Sequence, residues 1–241
     1  MEYWNDGSRN QQRIYFYFTQ YSTVPTLHHS LLVESMDNLR LSKTVDFIAT
    51  YYDGCKVGYV GHEGYRKSTD LVKFARCIAE LLRLDLINPD RTLFLDLGCA
   101  DGRVNVLMSY FVKLSVGLEI DPEILAEYDP RKEELRHKLR RANLIQPMDN
   151  IALFQGNSLE TAAYKQIERK VNVRFNQIDL FYTYITLHDL FAAKIAAEAK
   201  PKALYLVYGF NKILPRYQGL ELLISDLASQ GIVTLYGKGE F

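Results

Sequence analysis

The segment Asp96-Leu97-Gly98-Cys99-Ala100-Asp101-Gly102-Arg103 follows a short apolar run and precedes a stretch with helical spacing. A strand therefore feeds a turn in which Gly98 and Gly102, with Cys99 and Ala100 between them, clear the backbone for close approach of a ligand. The free amides opening the next helix make its start electropositive. Such a turn suits a nucleotide-type ligand. Asp96, two residues before the first glycine, would repel a pyrophosphate, and the Gly-x-Gly-x-x-Gly spacing of dinucleotide sites is absent. A carboxylate at that point suits a cation instead. Glu119, twenty-one residues beyond Gly98 at the end of the next apolar run, can accept hydrogen bonds from both hydroxyls of a ribose. A third run ends in Gly156-Asn157-Ser158, whose small polar groups can meet the edge of a base.

These residues need a frame, and the pattern supplies one. Apolar runs at Leu93–Leu97, Ser115–Ile120, Ile151–Phe154, Ile178–Tyr182 and Ala203–Tyr208 read as strands. Helical spacing covers Thr69–Leu84, Val104–Phe111, Glu123–Ala142, Ala162–Arg169 and Leu187–Ala199, with Ser68 or Thr69 as the cap of the first. Alternation of this kind predicts an α/β fold: a doubly wound, mainly parallel sheet with helices on both faces. The tail reads as a helix over Leu220–Ser229 and a strand at Ile232–Tyr236. Glycines clustered between Gly54 and Gly64 mark a boundary, so residues 1–63 are expected to form an amino-terminal cap and residues 64–241 the main domain. Within the cap, Arg13–Phe18 reads as a strand and Leu31–Tyr51 as one or two helices.

Composition narrows the partners. The 241 residues allow one sizeable core, and 29 basic residues against 29 acidic ones give no global field toward nucleic acid or an anionic membrane. No run approaches the roughly 20 apolar residues of a membrane span, and Met1–Asn10 lacks the pattern of a secretory signal. A cytoplasmic protein is expected. Cys55, Cys77 and Cys99 are too few and too scattered for a disulfide framework or a zinc site. His28-His29 has no companion ligands, and His62, Glu63 and His188 read as surface or structural groups. The basic run Arg131–Arg141 reads as a solvated amphipathic helix.

Taken in order, Leu95–Arg103, Gly117-Leu118-Glu119-Ile120-Asp121 and Gly156-Asn157 resemble the successive motifs of the class I, Rossmann-like, S-adenosylmethionine-dependent methyltransferases, over roughly Gly64 to Phe210. The resemblance implies a seven-stranded sheet ending in an antiparallel pair, with adenosylmethionine as cofactor and adenosylhomocysteine as product. Adenosylmethionine carries an ammonium and a sulfonium, in keeping with Asp96. The implied cofactor set is Asp96, Gly98, Cys99, Ala100, Asp101 and Gly102 in the loop, then Glu119, Ile120, Asn157 and Ser158, with Ser68 before the first helix. The family usually has glycine where this chain has Ala100.

For the acceptor, the chain lacks the Asn/Asp-Pro-Pro-Tyr/Phe segment of amide and exocyclic-amine methyltransferases. Gly64–Thr69 and Leu180–Thr186 are similar to segments of the compact non-SET protein-lysine methyltransferases. That resemblance implies that Tyr65, Tyr182 and Tyr184 line a narrow channel for an amine, a protein lysine being the first acceptor to consider. Asp179 stands alone on its strand, so no metal is expected. An RNA or small-molecule methyltransferase, and a non-catalytic binding protein of the same fold, are the alternatives.

Overall fold

A computed structural model describes residues 27–55, 60–61, 64–65, 68–210 and 214–239, with side chains for 37–55, 68–210 and 214–239. The strand expected at Arg13–Phe18 lies outside the described residues. The chain divides into two compact units, Met1–Asn38 and Leu39–Phe241. Helix α1 (Leu27–Gly54) is a single helix, and Ile48 and Tyr52 near its end are fully buried in the core of the second unit. In the glycine cluster, β1 (Val60–Gly61) pairs antiparallel with β2 (Gly64–Tyr65).

The remaining elements alternate as expected. They are α2 (Leu71–Arg83), β3 (Leu93–Asp96), α3 (Arg103–Met108), β4 (Leu114–Glu119), α4 (Pro122–Leu125), α5 (Tyr128–Arg141), β5 (Ile151–Gln155), α6 (Thr161–Val171), β6 (Leu180–Tyr184), α7 (His188–Glu198), β7 (Leu204–Tyr208), β8 (Glu221–Ile224) and β9 (Val233–Gly237). One sheet has the order β5-β4-β3-β6-β7-β9-β8. Its first five strands are parallel, and β9 runs antiparallel to both neighbours. The chain steps outward from β3 through β4 to β5 and then returns to β6 on the other side of β3. That reversal leaves a crevice beyond the carboxyl ends of β3 and its neighbours, where ligands of open α/β sheets sit.

Strand alternation sorts the core into two layers. Leu180, Tyr182, Leu206 and Tyr208 face α2, α3 and α5, whereas Phe181, Tyr205 and Val207 face α6 and α7. Helix α2 buries Leu71, Phe74, Cys77, Ile78 and Leu81, apolar positions spaced three and four apart. Its cap is Asp70, which accepts from the Lys73 amide, and not Ser68 or Thr69. Asp53 adds a second carboxylate from across the chain, accepting from the Leu71 and Val72 amides.

Two further sequence expectations need revision. The helical stretch Glu123–Ala142 is divided into α4 and α5. The helix expected over Leu220–Ser229 is instead strand β8 followed by a short 3-10 turn, so the sheet does end in an antiparallel pair. Leu222 and Leu223 are 48% and 37% exposed on this edge strand. Their side chains therefore do not follow the inside–outside alternation by which a strand is recognised. Among the described residues, no helix is long and apolar enough to cross a membrane.

Candidate active site

The loop after β3 is stitched to both flanking strands. The Leu97 amide donates to the Tyr182 carbonyl of β6, and the Cys99 amide donates to the Leu118 carbonyl of β4. Glu119, at the end of β4, accepts from the Ala100 amide at 2.9 Å through Oε2 and from the Asp121 amide at 3.0 Å through Oε1. One lone pair on each oxygen is thus used to fix the carboxylate, leaving acceptor capacity for a ligand. Ala100 adopts φ +48°, the left-handed region that favours glycine.

The two loop glycines have different reasons. Gly102 has φ +71°, and a Cβ there would lie 2.6 Å from Tyr128 Cδ2 and 2.7 Å from Leu153 Cδ1. The fold itself requires it. Gly98 is outside the left-handed region, and a Cβ built on it meets nothing within 4 Å. Nothing in the described protein requires glycine at that position. An open cradle over the carboxyl end of β3 is what a ligand lying across the loop would need.

Beneath that cradle Asp96 is 1% exposed. Burial raises its pKa from the usual 3.8 to about 8; the Gly98 hydrogen bond opposes the shift, and the nearby Glu119 and Asp101 charges add to it. Among the described residues no cation is paired with Asp96. Among them its hydrogen-bond partner is the Gly98 amide, at 3.2 Å. Three carboxylates thus converge, and among the described residues one of them, Asp101, is paired with arginine. Asp101 receives a two-pronged contact from Arg103, with Nε and Nη2 each at 2.9 Å, and Arg131 lies 3.6 Å away. Arg103 also donates to the Tyr52 carbonyl, tying the loop to the end of α1. Asp101, expected among the ligand-facing residues, is therefore a fully buried anchor of the loop.

A pocket brings together Ser68, Asp96, Gly98, Cys99, Ala100 and Tyr184 from the expected set, with Thr69, Arg103 and Val104 beside them. The two strand-end tyrosines part company. Tyr184 is half-buried at the pocket, its ring 5.4 Å from that of Tyr208. Tyr182 is 2% exposed beneath α2, packed on Phe74 and hydrogen bonded to Thr69. It is a core residue and walls no open channel. Tyr65 lies in β2, and its side chain is outside the described residues. Cys99 is buried, and desolvation holds its thiol well above the usual range, so it is no nucleophile.

At the third strand, Ser158 donates to the Leu97 carbonyl and so holds the neighbouring loop. Asn157 accepts from the Leu159 amide and donates to Glu160. Ile120 is 50% exposed beside Glu119, an apolar ledge next to the anchored carboxylate. Sequence reasoning missed Asp53 and Tyr208. Asp53 acts 18 residues away in the chain, and Tyr208 meets the Asp70 amide only through the fold. Among the described residues, no cluster of three or more His, Cys, Asp or Glu side chains could hold a metal ion.

No family model matches the chain, and no curated protein matches it. Solved structures do. An RNA methyltransferase from Salinibacter ruber, in complex with S-adenosyl-L-homocysteine, is 15% identical over 73% of this chain and 95% of its own, with a TM-score of 0.44. The Escherichia coli protein yhhF, provisionally named a methyltransferase, is 16% identical over 75% and 91%, with a TM-score of 0.47. A precorrin-6y C5,15-methyltransferase from Geobacter metallireducens is 11% identical over 63% and 66%, with a TM-score of 0.41. None of these scores reaches one half, so the ligand is read from the residues of the site itself.

Proposed function

We propose that the chain is an adenosylmethionine-dependent methyltransferase whose acceptor is an amine, a protein lysine in the first instance. The observation that carries the cofactor in this reading is Asp96: a buried carboxylate with no cationic partner among the described residues, under a glycine whose Cβ position is open. A ligand with a cationic end and a nucleoside end fits that pair, with Asp96 holding the ammonium and Glu119 accepting from the ribose hydroxyls. The half-exposed Ile120 would lie against the base. When bound, adenosylmethionine supplies a methyl group activated by a positive sulfur.

The protein's remaining task is alignment and exclusion of water, since the displacement is in line and needs no covalent help. An amine acceptor must arrive neutral. With a lysine pKa of about 10.4, deprotonation at pH 7 costs about 4 to 5 kcal/mol, and an apolar wall lowers that by disfavouring the ammonium. Tyr184, backed by Tyr208, supplies such a wall beside Ser68 and Thr69. Its own hydroxyl is held above the usual range by burial, so it stays protonated and adds no charge to the wall.

The test is to incubate the protein and methyl-labelled adenosylmethionine with cell extract, then separate protein, RNA and small molecules. Label in protein, recovered as methyl-lysine after hydrolysis, is the expected result. Label confined to RNA would overturn the lysine acceptor while leaving the cofactor in place.

A further inference from the structure

We propose that Arg40 and Lys43 of α1, with Arg140 and Arg141 at the end of α5, form a docking face for an acidic segment of the acceptor protein. The proposal rests on the reading that the acceptor is a protein. Arg40 donates to the carbonyl and the side-chain oxygen of Asn143, just beyond α5, at 3.1 and 3.3 Å, so the two elements meet here. All four side chains are exposed. Among the described residues Lys43, Arg140 and Arg141 make no ion pair or side-chain hydrogen bond, and Arg40 is held by the neutral Asn143.

The two glutamates of α5 are engaged elsewhere. Glu133 pairs with Arg136 and His137, and Glu134 with Lys138 and Tyr51. Arg140 and Arg141 also complement the carboxyl end of their own helix. That local effect does not account for Arg40 reaching the same end from a different helix, with Lys43 one turn further along it.

The chemistry favours carboxylates over nucleic acid. Among the described residues no aromatic side chain is exposed to stack on a base, and the whole chain is neutral, unlike the strongly basic domains that hold RNA backbones. Three guanidinium forks suit carboxylates at discrete positions. The face also lies at a usable distance from the pocket. Arg40 precedes Tyr52, whose carbonyl holds the pocket residue Arg103, by twelve residues of one helix, or about 18 Å. An extended peptide covers that in about six residues, so the acidic segment would lie about that far from the methylated lysine.

Binding of fluorescein-labelled decaglutamate at low salt tests the face without requiring turnover. Wild type is expected to bind with an affinity that falls as salt rises, and the double variant R140E/R141E to bind about tenfold or more weakly, with K43E intermediate. Adenosylmethionine affinity serves as the control and should be unchanged, while the double variant loses a little thermal stability because acids replace the cations at the carboxyl end of α5. Absence of binding by wild type, or equal binding by wild type and the double variant, would overturn the proposal. So would tighter binding of a decauridylate than of decaglutamate, which would give the face to RNA. Failure of the cofactor reading would show separately, as loss of adenosylmethionine binding in wild type.

Discussion

Replacing Asp96 with asparagine should move stability and ligand affinity in opposite directions. In the free protein the Asp96 pKa is raised from 3.8 to about 8, so the folded state keeps a proton that the unfolded chain releases above about pH 4. The stability associated with that proton is present below about pH 4 and is lost progressively as pH rises toward 8. At pH 7 the difference of 3.2 units between pH and the usual pKa corresponds to about 4 kcal/mol favouring the unfolded chain. Asparagine has the shape of the protonated carboxyl and no such pH dependence. Asp96→Asn should therefore be more stable than wild type at pH 7, by up to roughly 4 kcal/mol, and should converge on it near pH 4. The same change removes the counter-charge for the ligand's ammonium. A hydrogen bond to a charged group is worth about 1.5 to 3 kcal/mol, so adenosylmethionine affinity should fall by about 10- to 150-fold, while adenosine, which has no ammonium, should bind as before. Urea denaturation between pH 4 and 8 and calorimetry with both ligands read the two effects. Equal adenosylmethionine affinity in wild type and variant would refute the role given to Asp96. A wild-type stability profile no steeper than that of the variant would refute its unpaired burial.

The same linkage makes wild-type affinity pH-dependent: a cation requires ionised Asp96, so adenosylmethionine should bind more tightly as pH rises from 6 toward 8, by up to about tenfold per unit, with proton release seen in buffers of different ionisation enthalpy. Gly98→Ala should leave the melting temperature nearly unchanged, because its Cβ meets nothing, yet weaken adenosylmethionine binding measured by calorimetry. Gly102→Ala should behave differently and lose about 2 kcal/mol or more in denaturant titration, since φ is +71° and Tyr128 and Leu153 must both shift. Tyr184→Ala should retain cofactor affinity and lose some melting temperature with its packing on Tyr208, while methyl transfer to protein falls at least about tenfold in the labelled assay at a temperature where the variant is folded.

The loop was legible because its signal is local. Asp96, Gly98, Gly102 and Glu119 announce themselves by residue type and spacing, and the strand–turn–helix around them is set by short-range pattern. What the sequence misjudged depends on depth and on distant partners. Tyr182 and Tyr184 share a face by alternation, but α2 covers the first and leaves the second half-buried, a difference that no spacing rule contains. Asp101 reads like Asp96 until Arg103 and Arg131 close on it in space. Strand β8 escaped because an edge strand needs no buried alternation, and its exposed leucines mimic a helical face. The capping of α2 by Asp53 came from a residue whose local context says only that a turn follows.

Calorimetric titration of the purified protein with adenosylmethionine, adenosylhomocysteine and NAD tests the central claim most directly. Saturable binding of the two adenosyl compounds, weakened in Asp96→Asn and in Glu119→Ala, with no response to NAD, is the expected result. Tight NAD binding with no response to adenosylhomocysteine would contradict it.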